Sequence, residues 1–92
     1  MHDQEKLLSE LGMKINSIIS KYESMFRQSD CTLDEFLKEN FNSFKREVAR
    51  VATDIIHDSI SNGVNTDKNF IPSIQRLTQG SDAKLKLTLK KK

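Results

Sequence analysis

The sequence predicts an all-α fold: a long antiparallel helical hairpin that dimerises into a four-helix bundle, followed by a short third helix and a basic C-terminal tail or strand. Three observations carry this expectation. Two stretches repeat their apolar residues at alternating steps of three and four. A strong helix-start signal separates them. The 92 residues include only 3 glycines and 1 proline, with 36% apolar residues, so breakers are too few for a linker or a loop-rich scaffold.

The first helix is expected over residues 3–28. Leu8, Leu11, Ile15, Ile18, Tyr22 and Met25 step 3, 4, 3, 4, 3, the seven-residue repeat of packed helices. Leu7, Ile19 and Phe26 widen the stripe on one side, which suits a bundle better than a two-stranded coiled coil. Glu10 with Lys14 and Glu23 with Arg27 are favourable i,i+4 pairs. Gly12 beside the seam costs about 1 kcal/mol of helix stability relative to Ala, and a close helix approach there would explain it.

Ser29-Asp30-Cys31-Thr32 breaks the pattern. Thr32 with Glu35 forms a capping box, in which hydroxyl and carboxylate each satisfy a free backbone N–H at the helix start. Asp34 and Glu35 also place negative charge at the positive end of the helix dipole.

The second helix is expected over residues 33–61. Leu37, Phe41, Phe44, Val48, Val51 and Ile55 continue the repeat, and Phe36, Ala52, Ile56 and Ile60 extend it. Asp58 takes the next seam position, where the strict repeat drifts. Arg50 and Asp54 form a further i,i+4 pair on a face of mixed charge. Asn62-Gly63 supplies a left-handed stop. Two helices of similar length joined by about four residues form a hairpin.

Such a hairpin leaves Leu7, Ile19, Phe26, Phe36, Ile56 and Ile60 wet. At about 25 cal/mol per Å² of apolar surface, that forgoes several kcal/mol. A second copy is the simplest remedy. The expected oligomer interface is Leu8, Leu11, Ile15, Ile18, Ile19, Tyr22, Met25, Phe26, Leu37, Phe41, Phe44, Val48, Val51 and Ile55. The hairpin unit is residues 1–63.

Residues 64–80 are read as a turn and a short helix, with Pro72 opening the helix and Gly80 ending it. Phe70, Ile71, Ile74 and Leu77 give it an apolar side. Residues 81–92 form a basic amphipathic tail. Within it Leu85, Leu87 and Leu89 alternate with Lys84, Lys86, Thr88 and Lys90, the period of two that marks a strand.

The net charge of +2 is uneven. Residues 1–63 hold 8 Lys and Arg against 11 Asp and Glu, a net of −3; residues 64–92 hold 7 against 2, a net of +5. A basic segment of this kind attracts an acidic protein surface, a nucleic-acid phosphate or an anionic membrane.

The chemistry of catalysis and metal binding is not visible. Cys31 is the single cysteine, so no intrachain disulfide forms. His2, Cys31 and His57 lie far apart and in no metal-ligand spacing. Cys31 and His57 sit near opposite ends of the second helix, too far apart to act as a nucleophile and its base. No glycine-rich phosphate loop or nucleophile elbow occurs. No cofactor, metal or catalytic residue is therefore expected.

The polar start of the chain offers no secretory signal, and no apolar run reaches the ~18 residues of a membrane span. An intracellular, cytoplasmic protein is expected.

The function expected is a non-enzymatic protein-interaction module: a small oligomeric adaptor, assembly factor or regulator. It would dock a partner protein by adding a strand to an open sheet edge beside an acidic surface. The contact residues are Lys84, Leu85, Lys86, Leu87, Leu89, Lys90, Lys91 and Lys92. The alternative is a nucleic-acid-binding regulator using the same lysines on phosphates. A second basic patch, Lys38, Lys45, Arg46 and Arg50, lies on the second helix. A helix-turn-helix around Asn62-Gly63 is disfavoured, because Pro72 interrupts the expected recognition helix.

Overall fold

The computed structural model describes residues 3–90 and is all-helical: α1 (Asp3–Gln28), α2 (Leu33–Ser61) and α3 (Phe70–Lys90). No strand occurs among the described residues. The helices form an up-down-up bundle measuring 47 × 20 × 17 Å. α1 and α2 are antiparallel, and α3 returns alongside α1.

Both ends of α2 follow from local chemistry. The Glu35 backbone N–H donates to Thr32 Oγ1 at 3.2 Å, and the Thr32 N–H donates to Glu35 Oε1 at 2.9 Å, completing the capping box. At the other end Gly63 takes φ +64°. The Gly63 N–H then donates to the Ile60 carbonyl and the Val64 N–H to the Ser59 carbonyl. That pair of bonds is a Schellman stop, available cheaply only to glycine.

Apolar burial departs from the seven-residue seam in a consistent way. On α1 the buried side chains are Leu7, Leu11, Ile15, Ile19, Tyr22 and Phe26, whereas Leu8 and Ile18 are only partly buried and Met25 is exposed. On α2 they are Phe36, Phe44, Val48, Ala52 and Ile55. Two changes at the hairpin's flanks explain this. α3 lies along the hairpin and contributes Phe70, Ile74, Leu85 and Leu89 to the same core. At the turn, Phe26 and Phe36 pack ring to ring at 5.1 Å. Of the side chains a bare hairpin would leave wet, Leu7, Ile19, Phe26 and Phe36 are thus buried within one chain. Ile56 is half-buried and Ile60 exposed.

The third helix is the main correction to the sequence reading. It neither opens at Pro72 nor stops at Gly80, and residues 81–90 are helix, not a strand or a loose tail. Phe70, Ile74, Ser81, Leu85 and Leu89 share its buried face. A glycine inside a helix costs about 1 kcal/mol. Burying Leu85 and Leu89 gains roughly 3–6 kcal/mol together, so the helix continues through Gly80. A lone strand would also leave its backbone groups without a ladder, whereas a helix satisfies its own. Pro72 is tolerated in the first turn, where its missing N–H has no helical partner.

Buried serines cost little here. Ser59 and Ser81 each donate to the carbonyl three residues back, on Ile56 and Thr78. The α2–α3 connection is tied to the start of α1: the Gln4 amide donates to Asp67 Oδ1, and the Asp67 N–H donates to Gln4 Oε1. The bond from the Gln4 amide, with that from the Asn69 N–H, holds the Asp67 carboxyl below its ordinary value. Gly12 is not there for a close approach, since a methyl built on it meets no heavy atom within 4 Å.

Candidate functional site

The structure places the sequence-predicted interface residues, apart from the exposed Met25, in or against the chain's own core. Leu11, Ile15, Ile19, Tyr22, Phe26, Phe44, Val48 and Ile55 are buried there, and Leu8, Ile18, Leu37, Phe41 and Val51 pack partly against it. The stripe read as a seam between copies is thus occupied by α1, α2 and α3 of one molecule.

The predicted docking segment is divided by helical geometry. Leu85 and Leu89 are core residues, at 1% and 2% exposure, while Leu87 is 61% exposed. One face of a strand would have presented all three; a helix sends positions 85 and 89 inward and 87 outward. Lys84 donates to Asn16 Oδ1 on α1 at 2.7 Å. Lys86 points the other way, toward α2. Lys91 and Lys92 lie outside the described residues.

A different surface emerges where α2 and α3 meet. α3 packs more closely on α1 than on α2, and the looser α2/α3 seam holds an open, largely apolar cavity of about 320 Å³. Val48, Ala49 and Ala52 of α2 face Ile74 and Thr78 of α3 across it, with Lys45 and Asp82 at its edge. Below the cavity lies the half-buried ring of Phe41. Lys86 Nζ stands 4.9 Å from its centroid and Lys45 Nζ 5.4 Å. The apolar ring and its quadrupole let two cations approach one spot without a carboxylate between them. Lys38, seven residues before Lys45, and Lys90, four after Lys86, share these faces by register. None of the four lysines is ion-paired with a described residue.

Three ion pairs form elsewhere among the described residues. Glu10–Lys14 and Glu23–Arg27 form at 3.2 and 2.7 Å. Arg50 and Asp54 are not within ion-pair distance of each other. Lys21 bridges from α1 to Glu47 on α2 at 2.6 Å, and Tyr22 donates its hydroxyl to the same carboxylate. Burial first, then the hydrogen bond to Glu47 and its charge, push the Tyr22 phenol up to about 12. Burial opposes ionisation of Glu47, yet hydrogen bonds from Lys21 and Tyr22 and the charges of Lys21 and Arg50 hold it below its ordinary value. This cluster clamps α1 to α2.

The basic patch expected on α2 is therefore split: Lys38 and Lys45 face the α3 side, while Arg46 and Arg50 border another groove with Glu47. Cys31 lies before the start of α2 and His57 near its end, and no group of three or more His, Cys, Asp or Glu positioned for a metal occurs among the described residues. No described helix is long and apolar enough to cross a membrane.

Sequence reasoning missed Asp82 as a neighbour of Lys45, and Lys86 as a neighbour of Phe41, because it ended the third helix at Gly80. Reading the i,i+4 series Ser81, Leu85, Leu89 through that glycine would have found the α2/α3 seam. Compared with known proteins, the chain matches no protein-family model, no curated protein and no solved structure.

Proposed function

We propose that this protein is a non-enzymatic interaction module, a small helical adaptor or regulator, whose basic α2/α3 surface binds an acidic protein partner. The observation that carries the reading is the set of four lysines, Lys38, Lys45, Lys86 and Lys90, that have no ion-pair partner among the described residues and stand beside an open apolar groove. Cations held over an aromatic ring are already partly dehydrated, so a carboxylate arriving there meets less competition from water. The basic C-terminal segment keeps the partner-binding role expected from the sequence, but as a helix face and not as an added strand.

The homo-oligomer belongs to this proposal only as a secondary feature. Exposed apolar surface favours a second copy, and of that surface Leu7, Ile19, Phe26 and Phe36 are buried within one chain. Sedimentation at micromolar concentration reads it directly.

The test is comparative capture from the native host. The full chain and a Lys38→Gln, Lys45→Gln, Lys86→Gln, Lys90→Gln variant, shown by circular dichroism to be equally helical, are used as baits. The reading requires a protein retained by the first and lost from the second. An unchanged set of captured proteins overturns it. Nucleic-acid binding is the second reading, favoured by the lysine end taken alone. It requires a mobility shift with DNA or RNA that weakens steeply with salt.

A further inference from the structure

We infer that the α2/α3 groove seats a fourth helix supplied by a protein partner: an amphipathic helix of about 20 residues, acidic at one end and apolar at the other. This rests on the reading that the four lysines meet an acidic protein, and adds what shape that protein presents.

The argument is one of register and charge. Along α2, Lys38, Lys45, Ala49, Ala52, Ile56 and Ile60 follow each other at steps of seven, four, three, four and four. They form a second stripe beside the core stripe. Along α3, Ile71, Gln75, Thr78, Asp82, Lys86 and Lys90 do the same. The two helices are antiparallel, with Phe41 level with Lys86 and Lys45 level with Asp82. The lysines of both helices therefore gather at one end of the groove, and the isoleucines of both at the other. Ile60 is 74% exposed and Ile71 44%. Small residues, Ala49, Ala52 and Thr78, occupy the middle. A groove with small residues at its centre accepts a helix at close range, and α3's own 21 residues set its length at roughly 30 Å.

Charge complementarity selects the occupant. A second copy using this same face must pair it with itself. One relative orientation then sets lysines against lysines, and the other sets lysines against isoleucines. A nucleic acid meets phosphate-compatible charge only at the lysine end; Asp82 and the isoleucine end give it nothing. A helix with glutamates or aspartates over one half and leucines over the other satisfies both ends at once, as in helix-in-groove recognition.

The probe is a synthetic 20-residue helical peptide with Leu at i, i+3, i+4, i+7 positions in one half and Glu at the matching positions in the other. A same-composition peptide with those residues interleaved and a DNA duplex serve as comparison ligands. Binding to the full chain is read by fluorescence anisotropy. The patterned peptide is expected to bind at least tenfold more tightly than the interleaved one. Two independent variants, each chosen at exposed positions, should each weaken it at least tenfold. Lys38→Gln with Lys86→Gln removes the charged end. Ala49→Gln with Ile60→Gln blocks the groove while leaving every lysine.

If the lysine variant weakens binding and the groove variant does not, the lysines recruit an acidic ligand without a seated helix; this inference fails while the functional reading stands. If neither variant matters, both fail. DNA bound more tightly than the patterned peptide, or a concentration-dependent doubling of mass abolished by the groove variant, overturns the inference in favour of a nucleic acid or a second copy.

Discussion

Replacing Gly12 and Gly80 by alanine should stabilise this protein, by about 1 kcal/mol at each site and about 2 for both. Each lies well inside a helix, and neither has positive φ; Gly63 alone does among the described residues. A methyl built at either position meets no heavy atom within 4 Å, so the folded state takes on no clash. It also takes on no packing, so the gain is limited to the reduced freedom of the unfolded chain and the better helix propensity of alanine. Both glycines border one cavity between α1 and α3, of about 230 Å³, which leaves room for both methyls. In a domain of this size 1 kcal/mol corresponds to roughly 4–8 °C in Tm. Urea unfolding followed by circular dichroism should show the midpoint rising by roughly 0.3–1 M per substitution. Gly63→Ala is the internal control: at φ +64° the same change should cost about 1–2 kcal/mol. A loss of stability at position 12 or 80 would refute the reasoning, because it would mean that α1 and α3 approach each other through those glycines. Indifference at position 63 would refute the left-handed stop.

The remaining predictions address the core, the cap and the Tyr22–Glu47 clamp. Leu85→Ala should cost about 2–5 kcal/mol and Leu87→Ala less than about 0.5; equal losses on denaturant titration would contradict the helix through residues 81–90. Thr32→Ala should cost about 1 kcal/mol by removing the capping-box acceptor, and Thr32→Ser should retain most of it. Tyr22 is the only tyrosine and the chain has no tryptophan, so phenolate absorbance follows one group, expected to titrate at about 12 in the folded protein. Because the folded value is raised, Tyr22 contributes stability that is complete below pH ~10 and is lost as pH rises toward 12, a change on the order of 2 kcal/mol. Glu47→Gln should bring that midpoint down; an unmoved midpoint would remove Glu47 as a cause. Glu47 acts at the other end of the scale: its lowered folded value supplies stability that is present above the unfolded carboxyl range and lost as pH falls through the folded one. Glu47→Gln should therefore flatten the acid limb of a stability–pH profile.

Local chemistry made much of this protein legible. The bounds of α1 and α2, the capping box at Thr32 and the stop at Gly63 depend on hydrogen bonds and backbone angles spanning only a few residues, so the sequence that contains them also reveals them. The same holds for the Glu10–Lys14 and Glu23–Arg27 pairs. Arg50–Asp54 shows the limit: correct spacing permits an ion pair without enforcing one. Leu85, Leu87 and Leu89 show a deeper one. Their alternation and the i,i+4 series Ser81, Leu85, Leu89 are both present in the same ten residues. Local preference alone does not choose between them.

The sequence by itself determined a helical hairpin with the approximate spans of its two helices, and a basic C-terminal third. The tertiary structure decided three further things: that α3 runs through Gly80, that it adds Phe70, Ile74, Leu85 and Leu89 to the hairpin's core, and that its lysines join those of α2 across a groove. The physical reason is common to all three. Burying Leu85, Leu89, Ile74 and Phe70 against α1 and α2 is worth several times the local cost of one glycine, and that burial exists only once the hairpin is in place to receive them.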